Sequence, residues 1–151
     1  MKYLPLAKYL PNLYFNWRKA LRYKRYLLEF GTGIDLHGED VNEAAKRAVR
    51  DAITRVSMIG LRDMFRFGDM RELDEALMVD VTVASPYPER IAGDEVLQVL
   101  PEGKRRITVV SGGLRFPTAA DELNRDIQGV IVVNVALVVM VDMDKVQSAL
   151  Q

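Results

Sequence analysis

The sequence predicts an α/β (α+β) fold: one mixed sheet in β-α-β-α-β-β order, with helices on one face. Three observations predict it. Between residues 41 and 56, Val41, Ala44, Ala45, Ala48, Val49, Ala52, Ile53 and Val56 follow one another at alternating steps of three and one, the period of an amphipathic helix. Between residues 77 and 84, Leu77, Val79, Val81 and Val83 share one face, with Asp80 and Thr82 on the other. Residues 127–142, "IQGVIVVNVALVVMVD", are β-branched and apolar on both faces. That pattern marks a central strand covered on both sides.

The elements follow in order. A first strand over residues 26–30 leads into "EFGTGIDLHGED", residues 29–40, read as a glycine-rich loop. The helix after it starts at Asp40 as N-cap, with Glu43 completing a capping box. Its alanine-rich stripe suits close packing on a sheet, while Lys46, Arg47, Arg50 and Arg55 lie on the other face. Residues 57–76 hold Met58, Met64, Met70, Phe65 and Phe67. They read as a partly helical excursion that fills core or interface, or as a mobile lid over the glycine loop. The strand over 77–84 stops at "SPYPE", because proline cannot continue a ladder. "GDEVLQVLPEG" is a short helix capped by Asp94 and ended by Pro101 and Gly103.

A third strand over 105–111 breaks at Gly112-Gly113, and "PTAADELNR" is a loop or helical turn. The last strand, within 127–142, is too short and too β-branched for a membrane helix. Asn134 interrupts it, and a buried amide there needs hydrogen-bond partners. Residues 144–151 form a final helical turn. Two helices cover one face of such a sheet only. The other face would exceed the few hundred Å² of apolar patch that a monomer tolerates, so a homo-oligomer is expected.

The chain has 151 residues, enough for one domain with a real core. Its formal charge is +0 and 49% of its residues are hydrophobic. Cysteine is absent, which excludes disulfides, thiolate metal sites and cysteine nucleophiles and fits a cytoplasmic protein. The zero charge hides an asymmetry. Residues 1–25 carry seven basic residues and no acid, with six of the twelve aromatics. They read as an appended basic, aromatic arm on a single domain over 26–151. Pro5 and Pro11 interrupt the arm, so it is no signal peptide. Docking on the acidic remainder of the same or a neighbouring subunit is the plain role for it. Adhesion to a membrane surface or nucleic acid is the sharper one. No nucleic-acid partner and no integral membrane segment are expected.

The glycine loop is the candidate site. It holds Gly31, Thr32, Gly33, Asp35, His37 and Gly38, and His37 is the only histidine. A strand, a glycine turn and a helix start can bind a phosphate, but the glycine spacing fits neither a dinucleotide nor a P-loop pattern. Asp35, Glu39 and Asp40 would also repel an anion. Asp35 and His37, two apart, share a face in an extended segment, where a carboxylate can orient an imidazole for acid–base work. A metal held by Asp35, His37 and Glu39 is a thinner reading, and no metal or cofactor is assigned. A tight strand-to-helix connection, with His37 in a subunit contact, is the structural alternative.

The stretch "GTGIDLHG" resembles the G-x-G-x-D-x-H-G signature of the Lin-type conserved hypothetical proteins, short bacterial and plant proteins without an assigned activity. The resemblance runs from about residue 26 to 142, through "AAKRAVRDAI", "VDVTVASPYPE" and "VVSGGLRFP". More loosely, the element order is similar to monofunctional chorismate mutase-like folds. That similarity implies a last strand antiparallel between the first two, trimers or multiples of them, and ligand sites between subunits. No counterpart of the mutase's arginine-rich site is evident. Ser111 and Arg115 flank the double glycine and are candidates only.

The expectation is a small oligomeric protein with a polar-metabolite site at the loop. Asp35 and His37 are its candidate catalytic residues. Gly31, Thr32, Gly33, Gly38, Arg115 and Asn134 are candidate ligand contacts. A non-catalytic binding or regulatory module, or a purely structural oligomer, is the alternative.

Overall fold

The computed structural model describes residues 22–117 and 129–151. Most of the arm and nearly all of "PTAADELNR" lie outside them. The chain runs β1 (Tyr23–Asp35), α1 (Val41–Thr54), α2 (Ile59–Phe65), α3 (Met70–Ala76) and β2 (Leu77–Ser85). A 3-10 turn (Pro88–Arg90), α4 (Gly93–Leu97), β3 (Lys104–Ser111), β4 (Leu114–Phe116), β5 (Val130–Asp142) and α5 (Met143–Ala149) follow. The five strands form one mixed sheet in the order β1-β5-β2-β3, with β4 also paired to β5. β5 runs antiparallel between β1 and β2, in the place expected for it, and β2 and β3 are parallel. Parallel neighbours need a crossover, and α4 lies in it.

Helix α1 packs across β1 and β5 on one face of the sheet. Ala44, Ala45, Ala48 and Ala52 are fully buried, against Ile131, Val133 and Val135 of β5 within one core that also holds Val81 and Val83 of β2. The alternation of β2 is as read from the sequence. The excursion over 57–76 resolves into α2 and α3, which bury Leu61, Leu73 and Ala76 and leave Ile59, Met64 and Met70 exposed. Asp69 caps α3 by accepting from the Glu72 N–H at 2.8 Å.

Four expectations change. The first strand does not end at Phe30. It continues through Gly31 and Gly33 to Asp35, so most of the glycine loop is strand. β1 also begins at Tyr23, inside the expected arm, and Arg22 binds the buried Asp142 at the far end of β5. The short β4 was not foreseen. Gly112 donates to the Ser85 carbonyl, and at Gly113 (φ 67°) the chain passes the end of β2 to pair with β5. A Cβ on Gly113 would fall 2.3 Å from the Val132 oxygen, so the step needs glycine. Finally, Asn134 is exposed rather than buried. Among the described residues the helices cover one face of β5 only, and Asn134 points from the other.

Candidate functional site

Side chains alternate along β1, so Gly31, Gly33 and Asp35 face α1 while Thr32 and Ile34 face the open side. The glycines make room for helix backbone. A Cβ on Gly31 would lie 2.0 Å from the Ala48 oxygen, and one on Gly33 would lie 1.9 Å from the Ala44 oxygen. What approaches these two glycines is α1, so they leave no room for a ligand on that side. The alanine stripe and the glycine pair are two halves of one close contact.

Asp35 is 6% exposed, and both its oxygens are taken. Oδ2 accepts from the Asp40 N–H at 3.0 Å, and Oδ1 accepts from Arg47 Nη1 at 3.3 Å. Arg47 Nη1 also donates to the Ile34 carbonyl at 2.5 Å, and Arg47 Nε lies 3.3 Å from Glu43 Oε1. Half of the expected capping box therefore forms. Asp40 accepts from the N–H groups of Asn42 and Glu43, as an N-cap should. Glu43 turns instead to Lys46, Arg47 and Arg50, because Asp35 already holds the Asp40 N–H. With its first-turn donors filled by a carboxylate, the start of α1 does not suit a phosphate.

Between strand and helix the chain turns through Gly38 (φ 107°) and Glu39 (φ 48°). A left-handed glutamate is sterically disfavoured and persists where its surroundings over-determine it. Here they do. Glu39 Oε1 accepts from Arg115 Nε at 2.6 Å and from the Gly129 N–H at 2.8 Å. Arg90 Nη2 donates to the Glu39 carbonyl at 3.0 Å. Segments 51 and 76 residues further along the chain thus hold this turn.

His37 stands exposed on the held turn, at an opening of about 420 Å³ lined by Ile34, Asp35, Leu36, His37 and Arg47. No lining residue comes from the excursion over 57–76, so the lid reading gains no support. No hydrogen bond or ion pair joins His37 to another described residue. Asp35, which was expected to orient it, is engaged with Arg47 and Asp40. Among the described residues no group of three acidic or histidine side chains gathers to hold a metal, and Glu39 is turned to Arg115.

The other candidates fall in two places. Arg115 supports the turn through Glu39. Thr32 and Asn134 lie side by side on the open sheet face, where Thr32 Oγ1 donates to Asn134 Oδ1 at 2.8 Å. The Thr32 N–H, on the free edge of β1, is taken by Asp51 Oδ2 of α1 at 2.9 Å. That bond, then the hydrogen bond and charge of Arg55, hold the Asp51 carboxyl below its usual range. Sequence reasoning missed Arg90 and the roles of Arg47 and Glu39, the latter weighed only as a metal ligand and as a group that repels anions. Arg47 was visible only as one of four basic residues on a helix face, and nothing local to Glu39 or Arg90 shows that they meet.

The fold and the strand-end opening define a small α/β protein with one mixed sheet, its described helices packed on one face, and a braced turn at the start of its main helix. Residues 25–139 match the family model of the conserved hypothetical proteins named Lin0512, and the chain belongs to that family. The crystal structure of an FtsZ-like protein of unknown function from Nostoc punctiforme is similar to it, with a TM-score of 0.67 and 36% identity. The match covers 80% of this chain and 97% of that one. A search among curated proteins returns no match. No helix among the described residues is long and apolar enough to cross a membrane.

Proposed function

We propose that the protein is a subunit of a homo-oligomer that binds a small polar metabolite at the turn following β1, with His37 as the contacting side chain. One observation carries the reading. A strained turn is braced by Asp35, Glu39, Arg90 and Arg115, yet the side chain it presents, His37, is exposed at the opening. Bracing a turn this way holds a contact group in place for a ligand. Arg47 supplies donors at the rim, and Ile34 and Leu36 supply apolar wall. Binding is favoured over acid–base catalysis, because both oxygens of Asp35, the carboxylate two residues away, are engaged by Asp40 and Arg47 rather than by His37. The absence of cysteine supports a cytoplasmic place of action.

The test is a titration of the full chain with a panel of small carboxylates, amines, amino acids and phosphate esters, following the ring resonances of the single histidine. A ligand of this site moves those resonances saturably, and its affinity, measured by titration calorimetry on both proteins, falls at least about tenfold in His37→Ala, roughly the loss of one good hydrogen bond. Binding that is unchanged in His37→Ala would remove His37 from the site.

A further inference from the structure

We propose that the open face of the sheet is covered in solution by a second copy of this chain, with Thr32 and Asn134 in the middle of the interface setting its register. The inference deepens the oligomeric part of the proposed function and does not depend on the metabolite.

The registers of the strands define the face. Leu28, Val138, Asp80 and Arg106 form one row across β1, β5, β2 and β3. Phe30, Ala136, Thr82 and Thr108 form the next, then Thr32, Asn134, Ala84 and Val110. Ile34, Val132 and Leu114 continue it, and Phe116 lies beyond on β4. Six of the twelve exposed large hydrophobic residues described stand here: Leu28, Phe30, Ile34, Val110, Leu114 and Phe116. Each leaves about half of its surface open, and Phe30 leaves 61%. At roughly 200 Å² for a side chain of this size, those six alone expose about 600 Å². The half-buried Val132, Ala136 and Val138 and the threonines between them bring the face toward the ~800 Å² per partner of a stable interface. It already sits at the upper end of what monomers show.

Charge decides the occupant. Within these rows the charged side chains are Asp80 and Arg106, and they bind each other through two hydrogen bonds. The face is therefore neutral and self-compatible. A second copy can lie on it without burying an unpaired charge, whereas a strongly basic or acidic partner finds no opposite charge in these rows.

The amide explains the register. Asn134 Oδ1 is used by Thr32, and no described residue accepts from the Asn134 amide N–H groups. In the middle of an apolar interface such a group must find an acceptor, and it finds one in a limited set of apposed arrangements. A single buried polar residue fixes alignment in this way in other apolar interfaces.

Sedimentation equilibrium and light scattering on the full chain test the proposal. Between about 1 and 100 μM the mass is expected at twice 17.1 kDa or a higher multiple. Phe30→Asp on β1 and, independently, Thr82→Arg on β2 each place a charge on the face. They should raise the dissociation constant at least about 100-fold with the circular dichroism of the fold retained. Asn134→Val should still assemble but give more than one set of amide resonances. A monomer at 100 μM overturns the proposal, and a monomer with a solvent-protected Phe30 does so in favour of cover from within the chain. Assembly that survives both charged variants within about threefold also overturns it. His37→Ala should assemble as the natural chain does, so failure of the ligand reading leaves this result untouched.

Discussion

Gly33 lies directly beneath Ala44: a Cβ on Gly33 would fall 1.9 Å from the Ala44 carbonyl oxygen and 2.3 Å from the Ala48 nitrogen. The first strand and the main helix therefore touch backbone to backbone at Gly31 and Gly33. Both atoms in the way belong to helix backbone, which cannot swing aside as a side chain could.

Gly33→Ala should destabilise the fold by about 2–3 kcal/mol, the cost of forcing atoms into a filled contact. Urea unfolding monitored by circular dichroism measures it. A change below about 0.5 kcal/mol would show that α1 can lift off the strand, and that the glycines are there for another reason.

Asp35 should matter through the turn and Arg47. Asp35→Ala leaves the Asp40 N–H and Arg47 without their buried acceptor and should cost on the order of 2 kcal/mol. Asp35→Asn keeps one acceptor oxygen and should cost less. Equal losses in the two variants would show that the carboxylate charge, and not the hydrogen bond to Asp40, holds the turn.

Glu39→Ala removes the acceptor for Arg115 and for the Gly129 N–H at once. The Gly129 amide should then exchange with solvent roughly tenfold faster, corresponding to a local loss of about 1–2 kcal/mol. Unchanged exchange at Gly129 would mean that β5 is anchored there without the turn.

The fold should be sensitive to acid through Asp142, whose side chain is fully buried. Burial alone would raise its carboxyl. The hydrogen bonds and charge of Arg22, with the N–H groups of Asp144 and Lys145, outweigh that and hold it below the usual range. A carboxyl depressed in the folded state adds stability above its unfolded value, about pH 4, and that stability is lost as pH falls toward the folded value. In Arg22→Ala the carboxyl rises and the acid-unfolding midpoint should move to higher pH. An unmoved midpoint would show that Arg22 does not carry this stability.

The sequence by itself determined the covered half of this protein. Helix periodicity over 41–56, strand alternation over 77–84 and the doubly apolar strand 5 each report a local period, and a local period needs no knowledge of what it packs against. The family resemblance was likewise legible in contiguous residues, from "GTGIDLHG" onward. The tertiary structure decided the rest. Glycine at 31 and 33 reads as a loop in sequence because its backbone freedom is visible there, while the helix that needs the missing Cβ arrives later in the chain. Asp35 and His37 look like a pair because they are two apart. Yet Asp35 faces a helix whose Arg47, 12 residues on, donates to its carboxylate. The brace of Glu39 by Arg115 and Gly129 joins residues 76 and 90 positions apart, and only the placing of β4 and β5 brings them together.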